Sequence, residues 1–392
     1  MDDSLLAKAY DRLLVWCRER DYSGHDPFDA LNSRLFQATP LKHSSVARFA
    51  WTQLLKRSPV NLRNLALVPA GTNAKAMALF ALASLANHRR QKSSVTESET
   101  QNLLELLRTM SLTGWHGDAW GYNFDWQSRN FFAPQTTPMI VPTAFAARAF
   151  LEAAATLGKT SYLDSARSTC DFILQDLHRS HESPREICFS YSPESNTRIY
   201  NASLLAAEIL AGAAYLTGEA ALARFASMAT RYVVNQQNKD GSWAYGAAAA
   251  QSWRDNLHTA FVLSSLSRIL RQLPAEAERF SPALQRGYIY WREHFFLADG
   301  RPKYYDERSN PADVHTAASA IVTLIDLADL EEDAVPFAEE VAGWTIRNLQ
   351  DPQGFFYYQR RRFVLVRTPF MRWGQAWMLY ALARMREQRA LL

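Results

Sequence analysis

The sequence has few of the residues and patterns that mark several common classes of protein. Three cysteines occur in 392 residues, and no two of them form a CxxC pair. This favours neither a disulfide framework nor a cysteine zinc site. No run of 18 apolar residues is present, and the segment MDDSLLAKAYDRLL lacks the basic and apolar regions of a signal peptide. We therefore expect no membrane span and a cytoplasmic location.

The net charge is small, and common catalytic motifs are absent. A formal net charge of +4 is too small to indicate nucleic-acid binding by itself. The sequence contains no GxSxG, P-loop, GxGxxG or HExxH pattern. Serine-elbow acyl transfer, nucleotide hydrolysis and dinucleotide binding are therefore not expected, and neither a metal ion nor an organic cofactor is predicted.

What the sequence does contain is a long internal repeat. Each unit has a polar amphipathic helix, an aromatic loop with glycine, a polar capping residue and a helix rich in Ala and Leu. The capping positions are separated by 70, 58, 55, 59 and 60 residues, at Asn73, Thr143, Asn201, Asn256, His315 and Gln375. Repeats of this length indicate stacked supersecondary units.

The repeat predicts an all-α fold, an (α/α)6 toroid with an extra N-terminal helix. Helices that are apolar all round form the inner circle, and helices with one apolar stripe form the outer circle. We assign residues 1–392 to one domain, with 1–40 as the N-terminal helix and lead-in and 41–392 as six helical hairpins. The alternative is an open solenoid, which usually has capping units.

In a toroid, the loops that lead into the inner helices emerge at one end, so distant residues converge. The loops 114–132, 237–258 and 354–377 are dense in aromatic residues. These rings either plug the end of the barrel or form a stacking platform for a sugar. The substrate-binding candidates are Trp115, Asp118, Trp120, Asp125, Trp126, Trp243, Tyr245, Tyr304, Tyr358, Trp373 and Gln375, and Tyr122, Phe124, Phe131 and Phe132 share the first loop.

The last loop also carries an arginine cluster, at Arg360, Arg361, Arg362, Arg367 and Arg372. It is either a solvated surface with salt bridges or a site for a carboxylate, sulfate or phosphate. Arginine suits the second use because its fork of donors matches such anions. Arg360, Arg362, Arg367 and Arg372 are therefore candidate ligand contacts.

Two histidines stand at equivalent places in successive repeats. Asp255 precedes Asn256 and His258 at the start of one inner helix, and Asp313 precedes His315 at the start of the next. A histidine in the first helical turn is kept neutral by the helix dipole, as a general base requires. We name as catalytic candidates Asp255, Asn256, His258, Tyr305, Asp313, His315 and Arg372.

One segment resembles a known motif. Residues 237–243, QNKDGSW, are similar to the QxxDGSW motif of triterpene cyclases, which ties an outer helix to the next loop. The aspartate-rich DxDD segment of those enzymes is absent, which argues against terpenoid cyclisation. The whole chain, especially 290–320 and 356–382, is similar to uncharacterised toroid proteins found with genes for bacterial surface polysaccharides.

More distantly, the chain resembles (α/α)6 polysaccharide lyases, C5-epimerases and unsaturated-uronide hydrolases. In the lyases an Asn, a His, a Tyr and an Arg act together, and Asn256, His258, Tyr305 and Arg372 match these by residue type. The resemblance implies proton abstraction beside the carboxylate of an acidic saccharide, by a lyase or an epimerase. The alternatives are a glycoside hydrolase with two carboxylates among Asp118, Asp125, Asp255 and Asp313, and a glycan-binding scaffold without catalysis.

Overall fold

A computed structural model describes residues 2–128 and 132–391, and Phe131 of the first aromatic loop lies outside these ranges. The described residues form fourteen α-helices. In chain order they are α1 Asp3–Arg18, α2 Arg34–Gln37, α3 Ser45–Arg57, α4 Ala74–Arg90, α5 Ser94–Thr109, α6 Ile140–Leu157, α7 Thr160–Gln175, α8 Tyr200–Thr217, α9 Ala220–Asn235, α10 Asn256–Gln272, α11 Ala277–His294, α12 Val314–Asp326, α13 Ala334–Leu349 and α14 Trp377–Arg389.

Six helices form an inner ring in which each packs against the next: α4, α6, α8, α10, α12 and α14. Helix α14 also packs against α4, which closes the circle. Small side chains permit this close approach, and every residue of α8 from Tyr200 to Ala214 is buried. The prediction of a closed (α/α)6 toroid is confirmed.

Helix α6 is the one described helix that is long and apolar enough to cross a membrane. Of this stretch, 72% is buried inside the protein, where α6 is a member of the inner ring. Its apolar composition is explained by contact with helices on several sides.

An outer helix packs on each inner helix. Helices α5, α7, α9, α11 and α13 lie against α4, α6, α8, α10 and α12, in that order. Each has one apolar stripe, as in α9, where the buried Leu222, Ala226, Ala229 and Val233 recur every three or four residues. This pattern turns one face inward and leaves the other in water.

The N-terminal helix α1 is the outer partner of α14. It buries Leu6, Leu13 and Trp16, and Arg18 forms an ion pair of 2.6 Å with Glu99 of α5. In the described chain, residues from 41 onward thus supply the six inner helices and five of the outer ones. The hairpin that closes the circle combines the two ends of the chain.

Polar residues begin three of the inner helices as the sequence predicts. Asn73, Asp255 and Asp313 accept hydrogen bonds from backbone N–H groups in the first turns of α4, α10 and α12. Thr143 and Asn201 instead lie inside the first turns of α6 and α8. A π-helical turn, Met371–Ala376, leads into α14.

Seven short strands form three small antiparallel sheets in the described loops. They are β1 Trp126–Gln127, β2 Phe132–Ala133, β3 Arg179–Glu182, β4 Ile187–Phe189, β5 Ala312–Asp313, β6 Gln359–Arg360 and β7 Leu365–Val366. Strand β1 pairs with β2, β3 with β4, and the third sheet has the order β5-β6-β7. Asp313 lies opposite Gln359, so this sheet joins the loops before α12 and α14.

Residues 26–70, which we call the cap, form an excursion between α1 and α4. Gly24 and Gly71 exchange two backbone hydrogen bonds of 3.1 Å, which hold the chain before the cap against the chain after it. The cap contains α2, α3 and a small core of its own, made of Ala30, Leu55, Ala66 and Val68 with Trp51 packed on it.

Candidate active site

A cavity opens where the inner helices begin. Its volume is about 180 Å³. Its lining includes Lys75 of α4, Val141 of α6, Asn201 of α8, His258 of α10 and His315 of α12. The π-helical turn before α14 and the cap contribute further side chains, so residues scattered along the chain meet at one place.

Aromatic rings form most of the cavity wall. They are Phe28, Tyr122, Phe124, Trp126, Tyr191, Tyr245, Trp253, Phe261, Tyr304 and Trp373. Tyr245 stacks on Trp253 with 4.6 Å between ring centroids and meets the His258 ring edge-to-face at 4.5 Å. Four of the predicted aromatic contacts, Trp126, Tyr245, Tyr304 and Trp373, therefore lie at the cavity.

His258 is held by the aspartate that caps its helix. Asp255 accepts a hydrogen bond of 2.9 Å from the His258 backbone N–H, and its Oδ2 lies 2.7 Å from His258 Nδ1. Trp253 Nε1 donates to the same carboxylate at 3.1 Å. With the proton on Nδ1 shared with Asp255, Nε2 is the basic nitrogen of the ring.

The charge of this pair is set by competing effects. Burial alone would raise the pKa of Asp255, but the His258 charge and the hydrogen bonds from His258 and Trp253 together outweigh burial and lower that pKa. The carboxylate is therefore ionised at neutral pH and stabilises an imidazolium on His258. This is how an aspartate supports a histidine base as it gains a proton.

His315 lies in the same cavity in a different environment. Its ring packs at 4.4 Å from Trp373 and 4.8 Å from Trp377. Neither ring nitrogen has a hydrogen-bond partner within the described ranges. Burial, followed by the charges of Lys75 and Arg372, holds the pKa of His315 well below its ordinary value, so the ring is neutral.

Asp313 does not orient the His315 ring in the way that Asp255 orients His258. Its Oδ1 accepts from the His315 backbone N–H at 2.9 Å and from Trp373 Nε1 at 3.0 Å, and its Oδ2 accepts from Gln359 at 2.7 Å. Burial raises the pKa of this carboxyl. The two Asp–His pairs are equivalent in sequence but differ in geometry.

Two lysines that were not predicted as site residues also line the cavity. Lys75 Nζ lies 4.4 to 5.2 Å from the ring centroids of Phe145, Phe261 and Trp377. Burial, together with the charges of Arg372 and Arg148, lowers its pKa well below the ordinary value. Lys75 did leave a signal, because it is the one charged residue between Ala74 and Asn87 of an otherwise apolar helix.

The second lysine, Lys56, comes from α3 of the cap. Its Nζ lies 3.9 Å from the centroid of the Phe28 ring and 5.7 Å from a Trp373 ring. Burial lowers the pKa of Lys56 to about 8. No local pattern marks this residue, since it reaches the cavity only because the cap folds over the barrel.

Arg372 is the member of the arginine cluster that lines the cavity. Its Nε and Nη2 donate to the two carboxylate oxygens of Asp26, at 2.6 and 2.8 Å. The guanidinium also lies 5.0 Å from the centroid of the Tyr122 ring. Asp26 was missed by the sequence analysis, and it neutralises much of the charge of Arg372.

Asn256 and Tyr305 do not line this cavity, so the predicted grouping of Asn, Tyr and Arg around one carboxylate is not formed. The Asn256 amide donates to the carbonyls of Phe295 and Lys303 and accepts from Trp291 Nε1 at 2.8 Å. Asn256 and His258 are separated by roughly 200° around the helix, so they face opposite sides.

Tyr305 lines a neighbouring depression with Arg254, Asp306 and Arg308. It directly follows Tyr304, and the two rings meet edge-to-face with 4.9 Å between their centroids. Tyr304 lines the cavity, while Tyr305 lines the depression beside it.

The other predicted aromatic and amide contacts also lie elsewhere. Trp120 and Trp243 are buried and donate to the carbonyls of Leu107 and Val233. Gln375 bonds to the backbone of Phe356. Trp115 packs edge-to-face on Phe172, and Tyr358 packs on Phe370. All five have structural roles outside the cavity lining.

The remaining arginines and the predicted carboxylates are outside as well. Arg360 donates to Asn348, and Arg362 and Arg367 lie exposed over the rings of Phe363 and Tyr357. Asp118 accepts from Ser111, and Asp125 accepts from the backbone of Gln135. Of the described residues that line the cavity, none is an Asp or a Glu.

Comparison with known proteins gives similarity in structure only. No protein-family model and no curated protein matches the chain. An unsaturated glucuronyl hydrolase specific for heparin has a TM-score of 0.65 at 12% identity, over 99% of this chain and 98% of that chain. Cellobiose 2-epimerase from Bacillus thermoamylovorans has 0.62 at 10% identity, over 81% and 88%. D-mannose isomerase has 0.59 at 10% identity, over 81% and 87%. These likenesses confirm the (α/α)6 fold.

Proposed function

We propose that this chain is an enzyme that transfers a proton to or from carbon in an acidic saccharide, with His258 as the acid–base group. The observation that carries the proposal is the composition of the cavity. Two imidazoles from neighbouring inner helices share it, and none of its described lining residues is a carboxylic acid. This set suits proton transfer better than hydrolysis, which uses two carboxylates beside the substrate.

His258 is equipped for this role by its partner. Nε2 removes a proton from the carbon next to a carbonyl or carboxylate group, and Asp255 stabilises the imidazolium that results. The neutral His315 ring has no extra proton to give, and its ring N–H orients the substrate. In elimination the His258 imidazolium passes its proton to the departing oxygen. In epimerisation a water molecule delivers a proton to the opposite face of the carbon and takes up the one that His258 releases.

The charges around the cavity favour an anionic substrate. Lys56 and Arg372 bring cationic side chains, of which Arg372 pairs with Asp26, and the buried Lys75 amine can take up a proton when an anionic group binds beside it. The first turns of the inner helices also direct backbone N–H groups toward this end of the barrel, which favours negative charge. We therefore assign binding of the carboxylate to the lysines, in place of Arg360, Arg362 and Arg367.

The structural neighbours support a saccharide as the substrate class. One is an epimerase and one an isomerase of sugars, and a third hydrolyses an unsaturated glucuronyl compound. The aromatic wall provides flat faces on which a sugar ring stacks. Whether elimination or epimerisation follows proton removal depends on the position of the leaving group in the substrate.

The test is incubation with uronate-containing and neutral oligosaccharides in D2O. Epimerisation gives deuterium at one sugar carbon, seen by NMR, and elimination gives a product that absorbs in the near ultraviolet. We expect activity on acidic members only, and its loss in His258→Ala. The matched control is His116→Ala, because His116 makes a 2.7 Å contact with Asp176 away from the cavity.

Three results would contradict the proposal. Release of a reducing sugar with neither deuterium uptake nor near-ultraviolet absorbance would indicate hydrolysis. Binding without turnover would indicate a glycan-binding protein. Full activity of His258→Ala would remove this residue from the mechanism.

A further inference from the structure

The cap presents large aliphatic side chains to solvent. Six of them are more than half exposed: Leu41, Val46, Leu54, Val60, Leu65 and Leu67. The exposed fraction reaches 76% for Val46 and 77% for Leu65. Single exposed aliphatic residues are normal on soluble proteins, but a group in one short segment marks an interaction surface.

Helix α3 contributes an outward apolar stripe. Val46, Ala50 and Leu54 follow one another at intervals of four residues and are all exposed. Thr52 and Leu55 are the buried residues of this helix. The helix therefore turns apolar side chains both to the cap core and to solvent.

A second element extends this surface. The turn between β6 and β7 carries Phe363, which is 85% exposed, and Val364. Arg361 of the same turn donates to the carbonyl of Arg57 at the end of α3, at 2.9 Å. The turn is thereby held against the cap.

The exposed charges of this region have one sign, because Asp26 and Asp29 of the cap are buried. From residue 30 to residue 96 the sequence contains no Asp or Glu. Arg34 and Arg57 of the cap are exposed, as are Arg360 and Arg362 beside Phe363. Exposed aliphatic and aromatic side chains are thus interleaved with cations that have no acidic neighbours in sequence.

We propose that the cap and the β6–β7 turn bind the surface of an anionic membrane. Apolar side chains that insert at the headgroup boundary, with cations beside them, are what peripheral membrane binding requires. A soluble polyanion would use the cations but not the aliphatic side chains. Contact between two copies of the cap would bring like charges together. Because Phe28 and Lys56 of the cap line the cavity, binding holds the cavity beside the lipid surface.

The test is co-sedimentation of the full chain with vesicles of phosphatidylglycerol and phosphatidylcholine in equal parts, and with phosphatidylcholine alone. We expect binding to the anionic vesicles only, weakened by salt. Val46→Glu should lower the affinity about tenfold by placing a charge among the inserting side chains.

The matched control is Val95→Glu. Val95 is 75% exposed and, like Val46, is the second residue of a helix that a serine caps, but it lies on the outer helix α5. Val95→Glu should bind as the wild type does. Equal binding by the two variants, equal binding to both vesicle types, or displacement by polygalacturonate would overturn the proposal. If sedimentation velocity shows that the wild type is a dimer and that Val46→Glu is a monomer, the surface is a self-association interface and the membrane proposal is wrong.

Discussion

Asp26 of the cap and Arg372 of the π-helical turn form a bidentate ion pair across 346 residues of sequence. Both side chains are almost completely buried, with 6% and 4% exposed. The pair joins the cap to the last inner helix at the edge of the cavity. Coupling the cap to the barrel in this way keeps Phe28 and Lys56 in the cavity wall.

We expect Asp26→Asn to lower the free energy of unfolding by about 3–5 kcal/mol, because the Arg372 charge stays buried without its counter-charge. Urea unfolding followed by circular dichroism measures this loss. Asp11→Asn is the control, since Asp11 pairs with Arg386 while 64% exposed. That variant should lose less than about 1 kcal/mol. Equal losses would show that the Asp26 pair does not hold the cap.

Asp255→Asn should lower kcat by about 10²–10⁴-fold, because the amide cannot stabilise an imidazolium on His258. The rate of deuterium uptake, for epimerisation, or of the rise in near-ultraviolet absorbance, for elimination, measures the change. Asp176→Asn removes the partner of His116, which lies outside the cavity, and should leave the rate unchanged. A normal rate in Asp255→Asn would show that this carboxylate serves only as a helix cap.

Lys75→Met should separate binding from stability. The variant removes an amine that is buried against three aromatic rings, so it should be more stable by roughly 0.5–2 kcal/mol at neutral pH. It should also bind acidic saccharides more weakly while neutral ones are unaffected. Titration calorimetry and thermal unfolding give the two readouts.

The stability difference between the wild type and Lys75→Met should change with pH in a definite direction. The folded-state pKa of Lys75 is depressed, so below its ordinary value of 10.5 the unfolded chain binds more protons than the folded chain. Wild-type stability should therefore rise relative to Lys75→Met as the pH increases from neutral toward 10.5. A difference that does not change with pH would contradict a depressed pKa.

Local patterns in the sequence predicted the fold and one part of the site. The repeat of capping residues identified the inner helices, and Asp255 with His258 forms a local unit because the two are one helical turn apart. Asn256 was chosen by residue type, although the helical period turns it away from His258. Asp26 and Lys56 were not predictable, since both reach the cavity through the tertiary position of the cap.

At the opposite ends of the inner helices, Asp326 accepts hydrogen bonds from Arg268, at 3.0 Å, and from Arg384, at 3.2 Å. Burial alone would raise the pKa of Asp326, but the two guanidinium groups, with a hydrogen bond from Ser264 and the charge of Arg271, together lower it far below its ordinary value of 3.8. The unfolded chain takes up this proton more readily than the folded chain. The stabilisation is therefore present above about pH 4 and is lost as the pH falls through the folded-state pKa.

Asp326→Asn should lower the free energy of unfolding at neutral pH by about 1–3 kcal/mol, because Arg268 and Arg384 lose the carboxylate that they share and keep only Glu152 and Glu387. The loss should shrink as the pH is lowered below 3.8, where protonation weakens the wild type as well. Urea unfolding of the two proteins between pH 2 and pH 7 measures the convergence. Asp329→Asn is the control, since Asp329 is 79% exposed and pairs with Arg271 at 3.6 Å. A constant difference between Asp326→Asn and the wild type over this range would show that the Asp326 pKa is not lowered by its arginine partners.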